Sequence, residues 1–188
     1  MASDLCFTPA TELRELIRAR QLSPVELLDA VLARCEEVEP TIHAFVTIDA
    51  EGARAAARAA EEAVMRGDEL GPLHGIPVSI KDLFATAGMR TTYGSKFFED
   101  FVPDYDAVAV ERIRRAGGII FGKTNTPAFG HKDMCDNLIM PATRNPWNPD
   151  RTSGASSGGA GAAVAAGEGP LALGSDGAGS IRIPSALC

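Results

Sequence analysis

The sequence predicts an α/β fold in which helices cover a sheet. The 188 residues are 45% hydrophobic and 23% charged, a composition that suits one globular domain with a sizeable core. The first third has the apolar spacing of amphipathic helices, and from Gly75 onward short apolar strands alternate with helical segments. We therefore expect a single domain over residues 1–188, with a helical segment at 1–70 and a second, strand-bearing segment at 71–188.

The helical segment carries clear start and stop signals. Residues 23–26 (Ser-Pro-Val-Glu) form a capping box, and an apolar stripe at helical spacing follows it up to Pro40. Residues 45–48 are typical of a short strand. Residues 50–66 form an Ala-rich pattern that should end at Gly67, because glycine readily adopts the left-handed conformation that closes a helix.

The second segment alternates strands with helices. Residues 76–80 and 118–121 are compact apolar strands, and a helical pattern at 106–117 separates them. A turn-rich stretch at 145–149 leads into a Gly/Ser segment and an Ala-rich helix. The strand at 171–174 follows. This alternation predicts a sheet with helices on its faces.

Charge and cysteine usage exclude several classes of protein. The net charge is −7, from 25 acidic and 18 basic residues with no basic run, which argues against nucleic acid or an anionic membrane as partner. The longest charge-free stretch, residues 152–167, is shorter than the about 20 apolar residues that cross a bilayer and is rich in Gly and Ser. The N-terminus has no signal-peptide pattern, and the four scattered cysteines lack metal-ligand spacing. We expect a cytoplasmic protein with reduced thiols and no metal.

One short motif resembles a nucleotide site. Residues 117–124 satisfy the P-loop pattern G-x-x-x-x-G-K-T, which requires a loop after a strand and a helix that begins at Lys-Thr. Residues 119–121 are themselves strand-like, and Pro127 discourages a helix at this point. We interpret the match as a chance one, in a strand followed by a turn.

Another short motif resembles a nucleophile elbow. Residues 154–158 satisfy G-x-S-x-G, which needs a preceding strand and a later histidine. Turn-forming residues precede the motif, and His43, His74 and His131 all lie upstream of it. The sequence therefore does not favour this interpretation, and we expect the histidines to be structural.

The longest motif covers residues 154–184. A serine pair precedes an Ala-rich helix and a strand, and the strand ends in a second Gly-rich turn that bears Ser180. Gly-rich turns let the backbone approach a ligand and direct amides inward, as an oxyanion hole requires. For a single such turn, tight packing would be the simpler explanation.

Residues 154–184, together with 75–82, 122–127 and 143–147, resemble the amidase signature family in four segments in the right order. The resemblance implies an α/β/α fold with a mixed central sheet covered by helices. Members of that family are typically more than twice as long, so this chain would supply an incomplete part of the fold. Residues 71–188 would then be the catalytic core segment.

The resemblance also implies roles for individual residues. Lys81 would be the base, Ser156 a bridging serine that follows a cis peptide bond, and Ser180 the nucleophile. The backbone amides of an oxyanion hole would belong to Gly177, Ala178, Gly179 and Ser180. Supporting residues around them would be Ser157, Asp176 and Arg182. No cofactor is implied.

The implied chemistry is coherent. A serine hydroxyl is a weak nucleophile until a neighbour takes its proton, and a lysine can take it only when burial has lowered its pKa. Lys81 follows an apolar strand, which would supply that burial. The bridging serine would pass the proton and later deliver it to the leaving amine, giving a C–N hydrolase that works through an acyl-enzyme.

The sequence departs from the usual family pattern at Ala155 and Ala178, where glycine is common. Residues 126–130 (Thr-Pro-Ala-Phe-Gly) are closer to stand-alone amidases than to amidotransferase subunits. We therefore expect hydrolysis of a small or aryl carboxamide, with a small-molecule amide as partner. A glutaminase-type subunit of a tRNA-dependent amidotransferase and an inactive truncated fragment remain alternatives, and a homodimer is left open.

Overall fold

The structure is a computed structural model that describes residues 5–188. Its helices are α1 (Ala10–Arg18), α2 (Pro24–Ile42), α3 (Ala50–Arg66), α4 (Val108–Arg115), α5 (Gly158–Ala165) and α6 (Arg182–Leu187). Its strands are β1 (Phe45–Ile48), β2 (Pro77–Lys81), β3 (Ile119–Thr124), β4 (Arg144–Asn145), β5 (Asn148–Thr152) and β6 (Leu171–Leu173). Short 3-10 turns lie at Lys96–Phe98 and Ala128–Gly130.

The central sheet is mixed, as the family resemblance implies. Its order is β1-β3-β2-β6, with β2 parallel to both of its neighbours and β1 antiparallel to β3. Because β2 has a strand on each side, all five of its residues are buried, including the terminal Lys81. Strands β4 and β5 form a separate antiparallel pair.

Two hydrophobic clusters lie on opposite faces of the sheet. Alternate residues of a strand point to opposite faces, and in β3 Ile119 and Phe121 join the larger cluster whereas Ile120 joins the smaller one. The larger cluster packs against α1, α2, α3 and α5, and the smaller one against α4. Helices therefore cover both faces. No helix within residues 5–188 combines the length and the apolarity needed to cross a membrane.

Local signals place several of the helix ends. The Ser23 hydroxyl accepts from the amide of Val25 at 3.0 Å, and the Ser23 amide donates to the Glu26 carboxylate at 3.1 Å. Helix α3 ends at Gly67 with φ +80°, as expected. Helix α2 differs from expectation, since it continues past Pro40 to Ile42. Proline removes only one amide from the last turn, and the left-handed His43 closes the helix.

The P-loop match lies in a strand. Strand β3 extends through Lys123 and Thr124, three residues beyond the predicted end, so no loop is left to bind phosphate. The fully buried Lys123 amine donates to the Phe84 carbonyl at 2.6 Å and to the Thr91 hydroxyl at 2.7 Å. It also lies 3.5 Å from the Asp82 carboxylate. Lys123 therefore fastens the loop after β2 to the sheet.

Replacing Lys123 with methionine should lower the free energy of unfolding by about 3–5 kcal/mol, because the substitution leaves the buried Asp82 carboxylate without its cation. Lys132→Met is the matched control, since Lys132 pairs with Asp136 at the surface and should contribute at most about 1 kcal/mol. Urea denaturation of the two variants checks the difference. Equal losses would contradict the structural role of Lys123.

Candidate active site

Three chain segments converge at the carboxyl end of β2. Lys81 is the last residue of that strand, and the parallel register pairs Ile80 with Leu173 of β6. The loop after β6 therefore reaches the same edge of the sheet as Lys81. The serine pair before α5 also lies here. In α/β proteins this edge is where ligands commonly bind.

The Lys81 amine is surrounded by serine oxygens. It lies 2.7 Å from the Ser156 hydroxyl and 2.9 Å from the Ser157 hydroxyl. It also lies 3.1 Å from the Ser175 hydroxyl and 3.4 Å from the Ser175 carbonyl. Lys81 is fully buried, and no carboxylate within residues 5–188 forms an ion pair with it. The structure thus brings Lys81, Ser156 and Ser157 together.

Burial changes the proton affinity of this amine. Loss of water around the side chain lowers the pKa of Lys81 from 10.5 to about 8, and the neighbouring Cys135 and Asp176 act in the opposite direction without cancelling this effect. A large share of Lys81 is therefore neutral in mildly alkaline solution and able to accept a proton.

The donor geometry suits that neutral form. A neutral lysine has two N–H donors and one lone pair. Ser157 and Ser175 can accept the two donors, which leaves the lone pair to face the Ser156 hydroxyl at 2.7 Å. This arrangement can take a proton from Ser156 and return it.

Ser156 has the backbone geometry that the resemblance implies for a bridging serine. The peptide bond between Ala155 and Ser156 is cis. The next amide, that of Ser157, donates to the Ser180 carbonyl at 3.0 Å. This bond ties the serine pair to the second Gly-rich turn.

Ser180 contacts the serine pair through its main chain and not through its hydroxyl. Its main chain is fixed through Ser157, but its hydroxyl makes no hydrogen bond with any residue between 5 and 188. The structure therefore forms the contact between Lys81 and Ser156 and leaves the hydroxyl of Ser180 free to turn. The role of Ser180 as nucleophile stays a prediction.

The turn that would form the oxyanion hole divides its amides into two sets. The Gly179 amide donates to the Asp176 carboxylate at 2.7 Å, so this member of the predicted hole is occupied. Within the described residues, the amides of Gly177, Ala178 and Ser180 have no hydrogen-bond partner. Three of the four predicted amides are thus available to an oxyanion.

Asp176 and Arg182 organise the same turn. The Asp176 carboxylate accepts from the main-chain amides of Ile181 and Arg182 at 3.0 and 3.1 Å, in addition to that of Gly179. The Arg182 guanidinium approaches the carboxylate through two nitrogens at 2.9 and 3.0 Å. Its hydrogen bonds, followed by those of the amides, hold the pKa of Asp176 well below its usual range. The carboxylate therefore stays charged and keeps the turn folded.

Sequence reasoning missed Ser175 as a partner of Lys81. The signal was its position, since Ser175 follows the end of β6 by two residues and parallel strands end at the same edge of a sheet. Without the strand pairing that signal cannot be interpreted. No group of three His, Cys, Asp or Glu side chains in the described part of the chain could hold a metal ion.

The histidines lie apart from these contacts. His43 closes α2, and a ring nitrogen of His74 lies 2.9 Å from the Ala60 carbonyl. His131 is exposed at the end of the 3-10 turn Ala128–Gly130. Between residues 5 and 188 none of them hydrogen-bonds Lys81 or Ser156.

Comparison with known proteins identifies relatives of this chain. A glutamyl-tRNA(Gln) amidotransferase subunit from Roseiflexus sp. (strain RS-1) is 51% identical over 178 residues, covering 95% of this chain and 36% of that protein. An acylamidase from Rhodococcus erythropolis is 48% identical over 185 residues, covering 98% of this chain and 39% of that protein. The chain therefore spans less than two fifths of the length of these relatives.

Solved structures agree with the sequence relatives. A bacterial aryl acylamidase of the amidase signature enzymes superposes with a TM-score of 0.90 at 37% identity, covering 96% of this chain and 38% of that one. A fatty acid amide hydrolase superposes with a TM-score of 0.93 at 28% identity, covering 98% of this chain and 33% of that one. The family model described as Amidase matches residues 26–188. On this evidence the chain belongs to the amidase signature family.

Proposed function

We propose that the whole protein is a serine amidohydrolase that cleaves a small or aryl carboxamide through an acyl-enzyme. The observation that carries this proposal is the buried Lys81 amine, 2.7 Å from Ser156 and surrounded by hydroxyl groups rather than carboxylates. Relatives named acylamidase and aryl acylamidase support the substrate class.

In the proposed mechanism Ser180 attacks the carbonyl carbon of the amide. Its proton moves to Ser156 as the proton of Ser156 moves to the lone pair of Lys81. The amides of the Gly177–Ser180 turn that are free of Asp176 would stabilise the negative oxygen. Lys81 and Ser156 then return a proton to the leaving nitrogen. Water attacks the resulting ester and gives a proton to the same relay, which returns one to Ser180 as the acid leaves.

The partners of Lys81 would keep its lone pair correctly oriented. Ser157 is fixed on both sides, because its hydroxyl donates to the Ser175 carbonyl at 3.1 Å and accepts from the Ser175 amide at 3.3 Å. Together the two serines hold the N–H donors of Lys81 away from Ser156. We propose that both are positioning residues.

A second candidate is service as a glutaminase-type component of an amidotransferase. Relatives named as amidotransferase subunits reach 51% identity, slightly above the 48% of the acylamidase. Residues 126–130 favour the stand-alone amidases, so the two observations point in different directions. A cytoplasmic location, expected from the sequence, would suit both candidates.

The first test concerns the base. Activity should rise with pH, because only neutral Lys81 accepts a proton, and the midpoint of this acid limb of the pH–activity profile should lie near pH 8. Lys81→Ala should lower kcat/KM by about 10²–10⁴-fold. Lys81→Arg should fail as well, since guanidinium stays protonated. His43→Asn, which retains a residue tolerant of the left-handed conformation, is the control and should keep wild-type turnover. An active, folded Lys81→Ala variant would refute the relay.

The second test concerns Ser175. Ser175→Ala removes an acceptor that stabilises the charged form of Lys81, so the pKa of Lys81 should fall and the acid limb should move below pH 8. Loss of orientation should also lower kcat by about tenfold. Ser185→Ala is a control because no contact links Ser185 to Lys81 in the described residues. A fall in activity without a shift of the limb would mean that Ser175 is merely structural.

The third test concerns the nucleophile and the substrate. A fluorophosphonate probe should label Ser180 in the full protein, and Ser180→Ala should abolish both labelling and hydrolysis of an aryl carboxamide. Labelling that persists in Ser180→Ala would refute the assignment. Hydrolysis of glutamine but not of aryl amides would favour the second candidate, and absence of labelling would favour an inactive protein.

A further inference from the structure

Two carboxyl groups meet in the core at the other end of α5 from the serine pair. Glu39 lies in the last turn of α2, and Glu168 lies in the turn between α5 and β6. Glu168 is fully buried, and the neighbouring carboxyl group of Glu39 contributes to raising its pKa. Neither oxygen of Glu168 has a donor among residues 5–188.

The two carboxyl groups have different environments. Both oxygens of Glu39 accept main-chain amides, from Ala44 at 2.5 Å and from Phe45 at 3.1 Å. Amide donors favour the charged form of a carboxyl group, whereas Glu168 has none. A fully buried carboxylate beside a second, half-buried one is strongly disfavoured, so one of the two must keep a proton. The distribution of donors assigns that proton to Glu168.

The charged and titratable groups around the pair do not replace the proton. They are Arg34 and Cys35 from α2 and Cys6 from the segment before α1. The Arg34 guanidinium is occupied by the Ala166 carbonyl at 2.9 Å and by Glu37 at 2.9 Å. Burial raises the pKa of both thiols, so Cys6 and Cys35 remain neutral.

We propose that Glu39 and Glu168 share one proton and form a pH-sensitive latch between the turn after α5 and the start of β1. The latch joins elements that also support the site. The Ala44 carbonyl accepts from the amide of Asn125, and the carbonyl of Asn125 accepts from the amide of Gly159 in α5, three residues after Ser156. Loss of the proton would leave a buried negative charge on Glu168 beside the charge of the half-buried Glu39.

The sign of the effect follows from the titration of Glu168. Burial, and then the charge of Glu39, raise the pKa of Glu168 from 4.5 to about 9 in the folded protein. Between these two pH values Glu168 keeps its proton in the folded protein but loses it in the unfolded chain. The stabilising effect is therefore complete below about pH 4.5 and is lost as the pH rises towards 9.

The test compares Glu168→Gln with the wild type in the full protein. Glutamine has nearly the same shape and can donate to Glu39 at every pH, so the melting temperature of the variant should exceed that of the wild type by an increasing margin between pH 5 and 9. Glu51→Gln, at an exposed position in α3, is the control and should leave the pH profile unchanged.

A spectroscopic measurement keeps the proposal testable if the variant folds poorly. Carboxyl ¹³C chemical shifts of the wild type, with glutamate labelled, should contain one protonated glutamate at pH 7 that titrates near pH 9. Absence of a protonated glutamate at pH 7 would overturn the proposal. Parallel melting-temperature profiles of the wild type and Glu168→Gln would overturn it as well.

Discussion

The burial of the Lys81 amine at the end of β2 is the constraint on which the rest of the site depends. A lysine there loses its water only because β2 has a strand on each side and α5 lies next to it. Burial alone does not define a base, since it also lowers the pKa of Lys123 in β3 to about 8. The two differ in their neighbours. Lys123 faces the Asp82 carboxylate inside the core, whereas Lys81 contacts hydroxyls that lead to a Gly-rich turn.

In the proposed mechanism the turn faces two negative groups, the Asp176 carboxylate and the oxyanion of the reacting amide. By accepting hydrogen bonds from the amides of Gly179, Ile181 and Arg182, the carboxylate fixes the turn from one side. The amides of Gly177, Ala178 and Ser180 are left without a partner among the described residues. A fixed carboxylate beside an oxyanion would oppose catalysis, but Arg182 neutralises it. The pair can therefore shape the turn without adding net charge to it.

The sequence could predict features that depend on local signals. The capping box at Ser23, the helix end at Gly67 and the strand before Lys81 all follow from neighbouring residues. The match to the P-loop pattern could be rejected because its own residues predict a strand. Contacts between distant residues could not be predicted, because they depend on which strands pair. Ser175 reaches Lys81 across 94 positions. The contact between the Gly179 amide and Asp176 is local in sequence, but only the folded turn defines the direction of that carboxylate.

Lys81 and Glu168 are buried groups at opposite ends of α5, and the loss of a proton has opposite consequences at the two positions. Lys81 becomes a base as the pH rises through about 8, next to the serines that precede α5. Glu168, which follows α5, loses its proton at about pH 9 and then places a second negative charge beside Glu39. The condition that activates the proposed relay therefore also weakens the packing behind it. Loss of the Lys81 proton therefore favours the proposed relay, whereas loss of the Glu168 proton would weaken the proposed latch at the other end of α5.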